Sequence, residues 1–125
     1  MKKFIILIPV YNDWESLIKL LDEINSTVKE IKGLDFRCIV VDDASTIESP
    51  IIIKPNNISS IKVIQMKENR GHARCNAFGI RYINNKENFD HLILMDGDGE
   101  DRPEELKKLI IKCLSGTKAT VVAKR

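Results

Sequence analysis

The sequence predicts an α/β domain of three layers, in which a mostly parallel sheet lies between helices on both of its faces. Short apolar runs, typical of buried strands, alternate with segments in which apolar residues recur every three or four positions, as in amphipathic helices. The chain has 125 residues, of which 43% are hydrophobic and 30% charged. This length and composition suit one domain with one core. Polar residues directly follow several apolar runs, as expected at the ligand-binding edge of such a sheet.

The N-terminal segment predicts one strand and one helix. Residues 3–9 form an apolar run and predict a buried strand. Asn12 is the expected N-cap of the helix, with Glu15 reaching back to it in a capping box. Gly33 is the expected end of this segment. The apolar stripe expected on the helix consists of Trp14, Leu17, Ile18, Leu21, Ile24, Val28 and Ile31.

The middle of the chain predicts two strands on either side of a polar loop. Residues 36–41 predict the second strand, which ends at Asp42 and Asp43. Residues 45–59 are polar and contain proline, which is typical of a loop. Residues 61–66 predict the third strand.

The C-terminal part predicts two helices and two further strands. Residues 71–83 predict a helix, and residues 91–95 predict a short buried strand. A last helix ends at Gly116 and precedes a strand at residues 120–123. The buried face expected on this last helix consists of Leu106, Leu109, Ile110 and Cys113.

An acidic cluster follows the fourth predicted strand directly. Asp96 and Asp98 would lie close together at the strand end, where two like charges repel unless a cation intervenes. Carboxylate oxygens are hard ligands that suit Mg²⁺ or Mn²⁺, and these ions commonly bind phosphate oxygens as well. The alternative is a solvated acidic turn at a helix start, which accounts well for Glu104 and Glu105 because acids there complement the helix dipole. It accounts poorly for the two aspartates, so a divalent metal with a phosphorylated ligand is favoured.

Charge and cysteine content exclude several classes of protein. The formal net charge is +2, and there are only seven aromatic residues. Neither supports nucleic-acid binding. The cysteines (Cys38, Cys75 and Cys113) are scattered, and their spacing matches neither a zinc site nor a redox pair, so reduced, buried thiols in the cytoplasm are expected. The apolar run at residues 4–10 is too short to span a membrane.

Five segments, in order along the chain, carry a resemblance to a known family. Together they resemble the nucleotide-sugar-binding half of a family 2 glycosyltransferase of the GT-A fold, with the polyprenyl-phosphate sugar transferases as the most similar branch. The resemblance implies a truncated, Rossmann-like GT-A sheet and one domain, residues 1–125, that binds the sugar donor. The segments are residues 8–12 (Ile-Pro-Val-Tyr-Asn), 40–45 (Val-Val-Asp-Asp-Ala-Ser), 69–79, 95–104 (with Asp-Gly-Asp) and 121–125.

On the phosphate side, the resemblance implies a metal site and an arginine. Asp98 would bind the Mg²⁺ or Mn²⁺ that bridges the donor diphosphate, with Asp96 and Glu100 assisting. Arg125 would approach the phosphates. A nucleoside diphosphate leaves readily only when its charge is neutralised, which the metal would do.

On the nucleoside side, the resemblance implies contacts from the ends of the first two strands. Asp43, or alternatively Asp42, would accept a hydrogen bond from the base of a UDP- or GDP-linked sugar. Pro9 and Tyr11 would pack beside the base and ribose. The implied reaction is inverting transfer, in which an unknown acceptor, such as a polyprenyl phosphate, attacks the anomeric carbon as the nucleoside diphosphate leaves.

The catalytic domain of this family is considerably longer than the chain. No residue here can be assigned as the general base, so the catalytic residues are unknown and activity of the chain alone is doubtful. Exposed strand edges are expected to favour self-association. A cytoplasmic location is expected, with any association with a membrane arising only through a missing C-terminal part.

Two other classes of protein stay open on the sequence alone. A phosphoacceptor receiver domain has a similar length and alternation, but its acidic pair follows the first strand, whereas Asp42 and Asp43 follow the second. A nucleotidyltransferase with a GT-A-like sheet normally carries a glycine-rich basic loop after the first strand, which residues 11–13 do not provide.

Overall fold

The computed structural model of the chain describes residues 1–96, 103–115 and 120–122. The observed order of elements is the predicted one. All strand pairs are parallel, and the strands lie in the order β3-β2-β1-β4-β5. The elements are β1 (Lys2–Val10), α1 (Trp14–Lys29), β2 (Leu34–Asp42), β3 (Ser60–Gln65), α2 (His72–Lys86), β4 (His91–Leu94), α3 (Pro103–Ser115) and β5 (Thr120–Val122).

Helices cover both faces of the sheet, which confirms the three-layer α/β prediction. Alternate side chains of β1 point to opposite faces. Ile6 belongs to the core cluster that contains Leu17 of α1 and Ile110 of α3. Leu7 belongs to the cluster on the other face, with Cys75 of α2. Because β1 is buried on both faces, its sequence is a continuous apolar run rather than an alternating one.

The start of α1 differs from the prediction. The N-cap is Asp13, whose side chain accepts a hydrogen bond from the backbone N–H of Ser16 at 3.2 Å. Asn12 as the N-cap was wrong: it lies one residue earlier, with a positive φ of 62°. Its amide side chain contacts the loop after β2 instead, because that loop offers several backbone N–H groups.

The helix α2 lies unusually close to the sheet at Gly79. A Cβ atom placed on this residue would lie 2.6 Å from Cδ1 of Leu7 in the central strand. Glycine therefore allows a close approach of helix and strand that no other residue would permit without a shift in the core.

Within the described parts of the chain, no helix combines the length and the apolar character needed to cross a membrane.

Candidate functional site

The strand order predicts a crevice between the carboxyl ends of β1 and β4. After β1 the chain builds β2 and β3 on one side, and then crosses to β4 on the other side of β1. Ligands of open parallel sheets bind outside the strand ends at such a switch in order. Tyr11 follows β1 directly and is 40% exposed, and Asp96 follows β4, so both lie at the strand ends where this crevice is expected.

Pro9 fixes the point at which β1 and β4 separate. Their last paired residues are Leu7 and Leu94, followed by a hydrogen bond from Met95 N to Leu7 O at 3.0 Å. The backbone N–H and C=O groups of the odd-numbered residues in β1 point towards β4. The nitrogen of Pro9 would therefore have to donate the next hydrogen bond between the two strands. Proline has no N–H, and the ladder ends. On the other side, β1 and β2 stay paired as far as Val10 and Asp42.

Asp43 joins the end of β2 to the start of α2. Its two carboxylate oxygens accept hydrogen bonds from the backbone N–H groups of Arg70 at 2.7 Å and Gly71 at 2.8 Å. The residue is only 1% exposed. Burial acts to raise the pKa of Asp43, but these two backbone bonds, the Cys75 thiol and nearby His72 together lower the pKa below its usual value.

The three cysteines are buried and free, as the sequence indicated. Burial, and after it the carboxylate of Asp43, raises the pKa of Cys75 to about 12. A thiol with this pKa stays protonated at neutral pH, so Cys75 packs and donates a weak hydrogen bond rather than acting as a nucleophile.

Asp42 shapes the turn that follows β2. Its Oδ1 accepts a hydrogen bond from the backbone N–H of Ser45 at 2.9 Å, in the manner of an Asx-turn. Ala44, inside this turn, has a positive φ of 59°, which is uncommon for a residue with a Cβ atom. Among the described residues, Oδ2 of Asp42 accepts no hydrogen bond, and the residue is 5% exposed.

The first turn of α2 lies beside Asp96, the carboxylate that follows β4. Nδ1 of His72 lies 4.0 Å from Oδ1 of Asp96, and both side chains are partly exposed. Gly71 occupies the N-cap position, where no side chain caps the helix. Arg70 pairs with Glu68 at 2.8 Å. The partly positive end of α2 therefore lies on the side of Asp96, where it offsets part of that carboxylate's charge.

Asn12 is the residue of this site whose importance the sequence did not show. Its side chain spans the gap between the β1 and β2 ends and hydrogen-bonds Thr46 and Ile47. The local pattern Asn-Asp before a helix indicated only a cap. In the loop after β2, the polar residues Ser45 and Thr46 were the signal in the sequence for a partner of Asn12.

A family model of glycosyl transferase family 2 matches residues 5–125. The chain belongs to this family. The match covers the crevice and every segment on which the predicted resemblance rests. The fold and the strand-end residues described above therefore belong to a member of glycosyltransferase family 2.

The receiver-domain alternative disagrees with the topology as well as with the family. Receiver domains of the doubly wound type have the strand order 2-1-3-4-5. Here β2 and β3 lie on the same side of β1, and β4 lies on the other side. The acidic pair Asp42 and Asp43 lies at the end of β2, whereas the acidic pair of a receiver domain follows its first strand.

One of the three predicted metal ligands, Asp96, lies among the described residues. Asp96 presents a hard carboxylate ligand at the crevice, and its side chain is 23% exposed. Asp98 and Glu100, the other predicted ligands, and Arg125 lie outside the described residues. Within the described ranges, no group of three or more His, Cys, Asp or Glu side chains is placed to hold a metal ion.

Proposed function

We propose that this domain binds a nucleotide-diphosphate sugar, linked to UDP or GDP, in the crevice between β1 and β4, for inverting transfer to an acceptor. The observation that carries this proposal is the position of the switch in strand order. The switch lies between β1, which is followed by the exposed aromatic residue Tyr11, and β4, which is followed by the carboxylate of Asp96, in a chain of glycosyltransferase family 2. An aromatic ring suits a nucleoside, and a metal-binding carboxylate suits a diphosphate.

The nucleoside is proposed to lie over the ends of β1 and β2. Tyr11 and Pro9 would pack beside the base and ribose. An ionised carboxylate can only accept hydrogen bonds, so it favours a base that presents an N–H, as uracil and guanine do. Of the two candidates, Asp42 has one oxygen that accepts no hydrogen bond from the described residues, whereas both oxygens of Asp43 already accept backbone N–H groups. Asp42 is therefore the stronger candidate for the base contact.

The diphosphate is proposed to lie towards β4. Asp96 would hold Mg²⁺ or Mn²⁺ together with Asp98 and Glu100, and Arg125 would approach the phosphates. The bound metal would neutralise the charge that develops on the leaving nucleoside diphosphate. His72 lies beside Asp96 and would orient that carboxylate towards the metal.

Calorimetric titration with UDP and GDP, in Mn²⁺ and in a chelator, tests the proposal. We expect binding in Mn²⁺ to be at least tenfold tighter than in the chelator. Asp96→Asn should remove most of that gain and leave the fold intact, because the side chain lies at the crevice rather than in the core. Asp22→Asn, an exposed change on α1, is the matched control and should bind like the wild type.

Equal affinity in Mn²⁺ and in chelator would contradict the metal role while leaving nucleotide binding in place. No detectable binding of either nucleoside diphosphate would contradict the donor site itself. The two results therefore separate the two halves of the proposal.

A further inference from the structure

Asn12 occupies a strained turn at the end of the central strand. The backbone N–H of Asp13 donates to Tyr11 O at 2.7 Å, which closes a three-residue turn around Asn12. The φ of Asn12 is 62°, and three-residue turns with a positive central φ are rare and strained. Strain of this kind persists only where the surrounding contacts hold the residue in place, and it is concentrated at functional sites.

The contacts that hold Asn12 come from the loop after β2. Its Oδ1 accepts hydrogen bonds from the backbone N–H groups of Thr46 at 2.8 Å and Ile47 at 2.9 Å. Its Nδ2 lies 3.1 Å from the hydroxyl of Thr46. A single side chain thus satisfies two backbone donors that are 34 and 35 residues away along the chain.

A second path leads from Asn12 to the carboxylate of Asp42. The backbone N–H of Asn12 donates to Oγ of Ser45 at 2.8 Å, and the backbone N–H of Ser45 donates to Oδ1 of Asp42 at 2.9 Å. Trp14 adds a further link, because its indole N–H donates to the carbonyl of Ile47 at 2.9 Å. The turn that carries Tyr11 and the turn that carries Asp42 are therefore one hydrogen-bonded unit.

We propose that Asn12 is the positioning residue of the nucleoside side: it holds the β2 loop against the end of β1, and so fixes Tyr11 and Asp42 in the geometry that receives a base. This inference rests on the proposed donor-binding function and adds to it a residue that does not itself touch the ligand. Preorganised contacts raise affinity because the ordering cost is met before the ligand arrives.

The chemistry of the side chain explains why asparagine stands at this position. Asparagine adopts positive φ more readily than most residues that carry a side chain. It also provides one oxygen with two acceptor sites and one amide donor. Glycine would adopt the positive φ but could not make the side-chain hydrogen bonds. Alanine could not make these hydrogen bonds either, and it adopts positive φ less readily than asparagine.

Three variants separate these contributions. Asn12→Gly keeps the backbone freedom and removes the side-chain contacts, Asn12→Ala removes the contacts and strains the turn, and Asn12→Asp keeps the acceptor oxygen. The matched control is Asn25→Ala, which removes a comparable bond from the backbone N–H of Asn57 to Asn25 Oδ1, at 2.8 Å, in another part of the molecule.

Titration in Mn²⁺ with UDP, GDP and inorganic pyrophosphate distinguishes positioning from general destabilisation. For Asn12→Gly and Asn12→Ala we expect at least tenfold weaker binding of both nucleoside diphosphates, with pyrophosphate affinity within twofold of the wild type. Asn12→Asp should retain more nucleotide affinity than Asn12→Gly, and Asn25→Ala should change none of the three. Amide hydrogen exchange should speed up at Thr46 and Ile47 in the glycine variant.

Unchanged nucleotide affinity in Asn12→Gly, with faster exchange or a lower melting temperature, would overturn the inference and leave Asn12 a purely structural residue. An equal loss for pyrophosphate and nucleotides would also overturn it, because the effect would not belong to the nucleoside side. If the wild type itself binds neither UDP nor GDP, the proposed function fails, and this result is distinct from a failure confined to Asn12.

Discussion

The carboxylate of Asp43 accepts a hydrogen bond from the backbone N–H of Gly71 at 2.8 Å, and this contact ties the end of β2 to the start of α2. The neighbouring oxygen accepts from the N–H of Arg70 at 2.7 Å. Asp43 thus satisfies donors at the N-terminus of a helix that lacks a side-chain cap. The helix start that borders the crevice is held in place by a charge that is almost completely buried.

Asp43→Asn should lower the free energy of unfolding at pH 7 by about 1–3 kcal/mol, because an amide cannot accept both N–H groups. The folded-state pKa of Asp43 is lowered, so its carboxylate adds stability above the unfolded-state pKa of about 4. That stability is lost as the pH falls through the folded-state pKa. Urea unfolding between pH 7 and pH 2 should therefore show the gap between variant and wild type closing in acid. A gap that stays constant with pH would contradict the role of the charge, and Asp22→Asn serves as the control.

Asp42→Ala should weaken binding of UDP and GDP by about 1–3 kcal/mol, the range for a lost hydrogen bond to a charged group. The reason is that Oδ2 of Asp42 accepts no hydrogen bond from the described residues, whereas both oxygens of Asp43 already accept backbone N–H groups. Titration calorimetry in Mn²⁺ measures the change, with inorganic pyrophosphate as the ligand that should be unaffected. If Asp43→Asn weakens nucleotide binding while Asp42→Ala does not, the base contact belongs to Asp43.

Gly79→Ala should destabilise the protein by about 1–3 kcal/mol, since a new Cβ would lie 2.6 Å from Leu7 Cδ1 in a fully buried part of the core. The better helix propensity of alanine offsets this by up to about 1 kcal/mol. Denaturant unfolding measures the net loss. In a Leu7→Ala background the clash is removed, and Gly79→Ala should then be neutral or stabilising; an equal loss in both backgrounds would show that Leu7 is not the obstacle.

Ala44→Gly should stabilise the protein by about 0.5–1 kcal/mol, because glycine adopts the positive φ of 59° without a Cβ clash. The matched control is Ala77→Gly on the exposed face of α2, where glycine should instead cost about 0.5–1 kcal/mol. Thermal unfolding of the two variants should therefore shift in opposite directions. A loss of stability in Ala44→Gly would mean that the turn is not strained at this residue.

Much of the fold could be predicted because its determinants are local. The apolar run of β1 and the periodicity of α1 are each contained within a few consecutive residues, so the order of elements follows from the sequence. Element ends were less certain: Asn12 was the expected cap of α1, whereas the observed cap is Asp13. Asn12 is held instead by the Ser45–Ile47 loop, which is distant along the chain.

The sequence by itself determined the alternation of strands and helices, the acidic and aromatic residues at the strand ends, and the resemblance to family 2 glycosyltransferases that the family match bears out. Only the tertiary structure decided the strand order, and with it the switch between the strands that Tyr11 and Asp96 follow. It also decided that Asp43 binds a helix start while one oxygen of Asp42 accepts no hydrogen bond from the described residues. The physical reason is the separation along the chain over which each effect acts. Periodicity and propensity act between near neighbours, whereas the partners of Asn12 and Asp43 lie roughly 30 residues away and contact them only once the sheet has assembled.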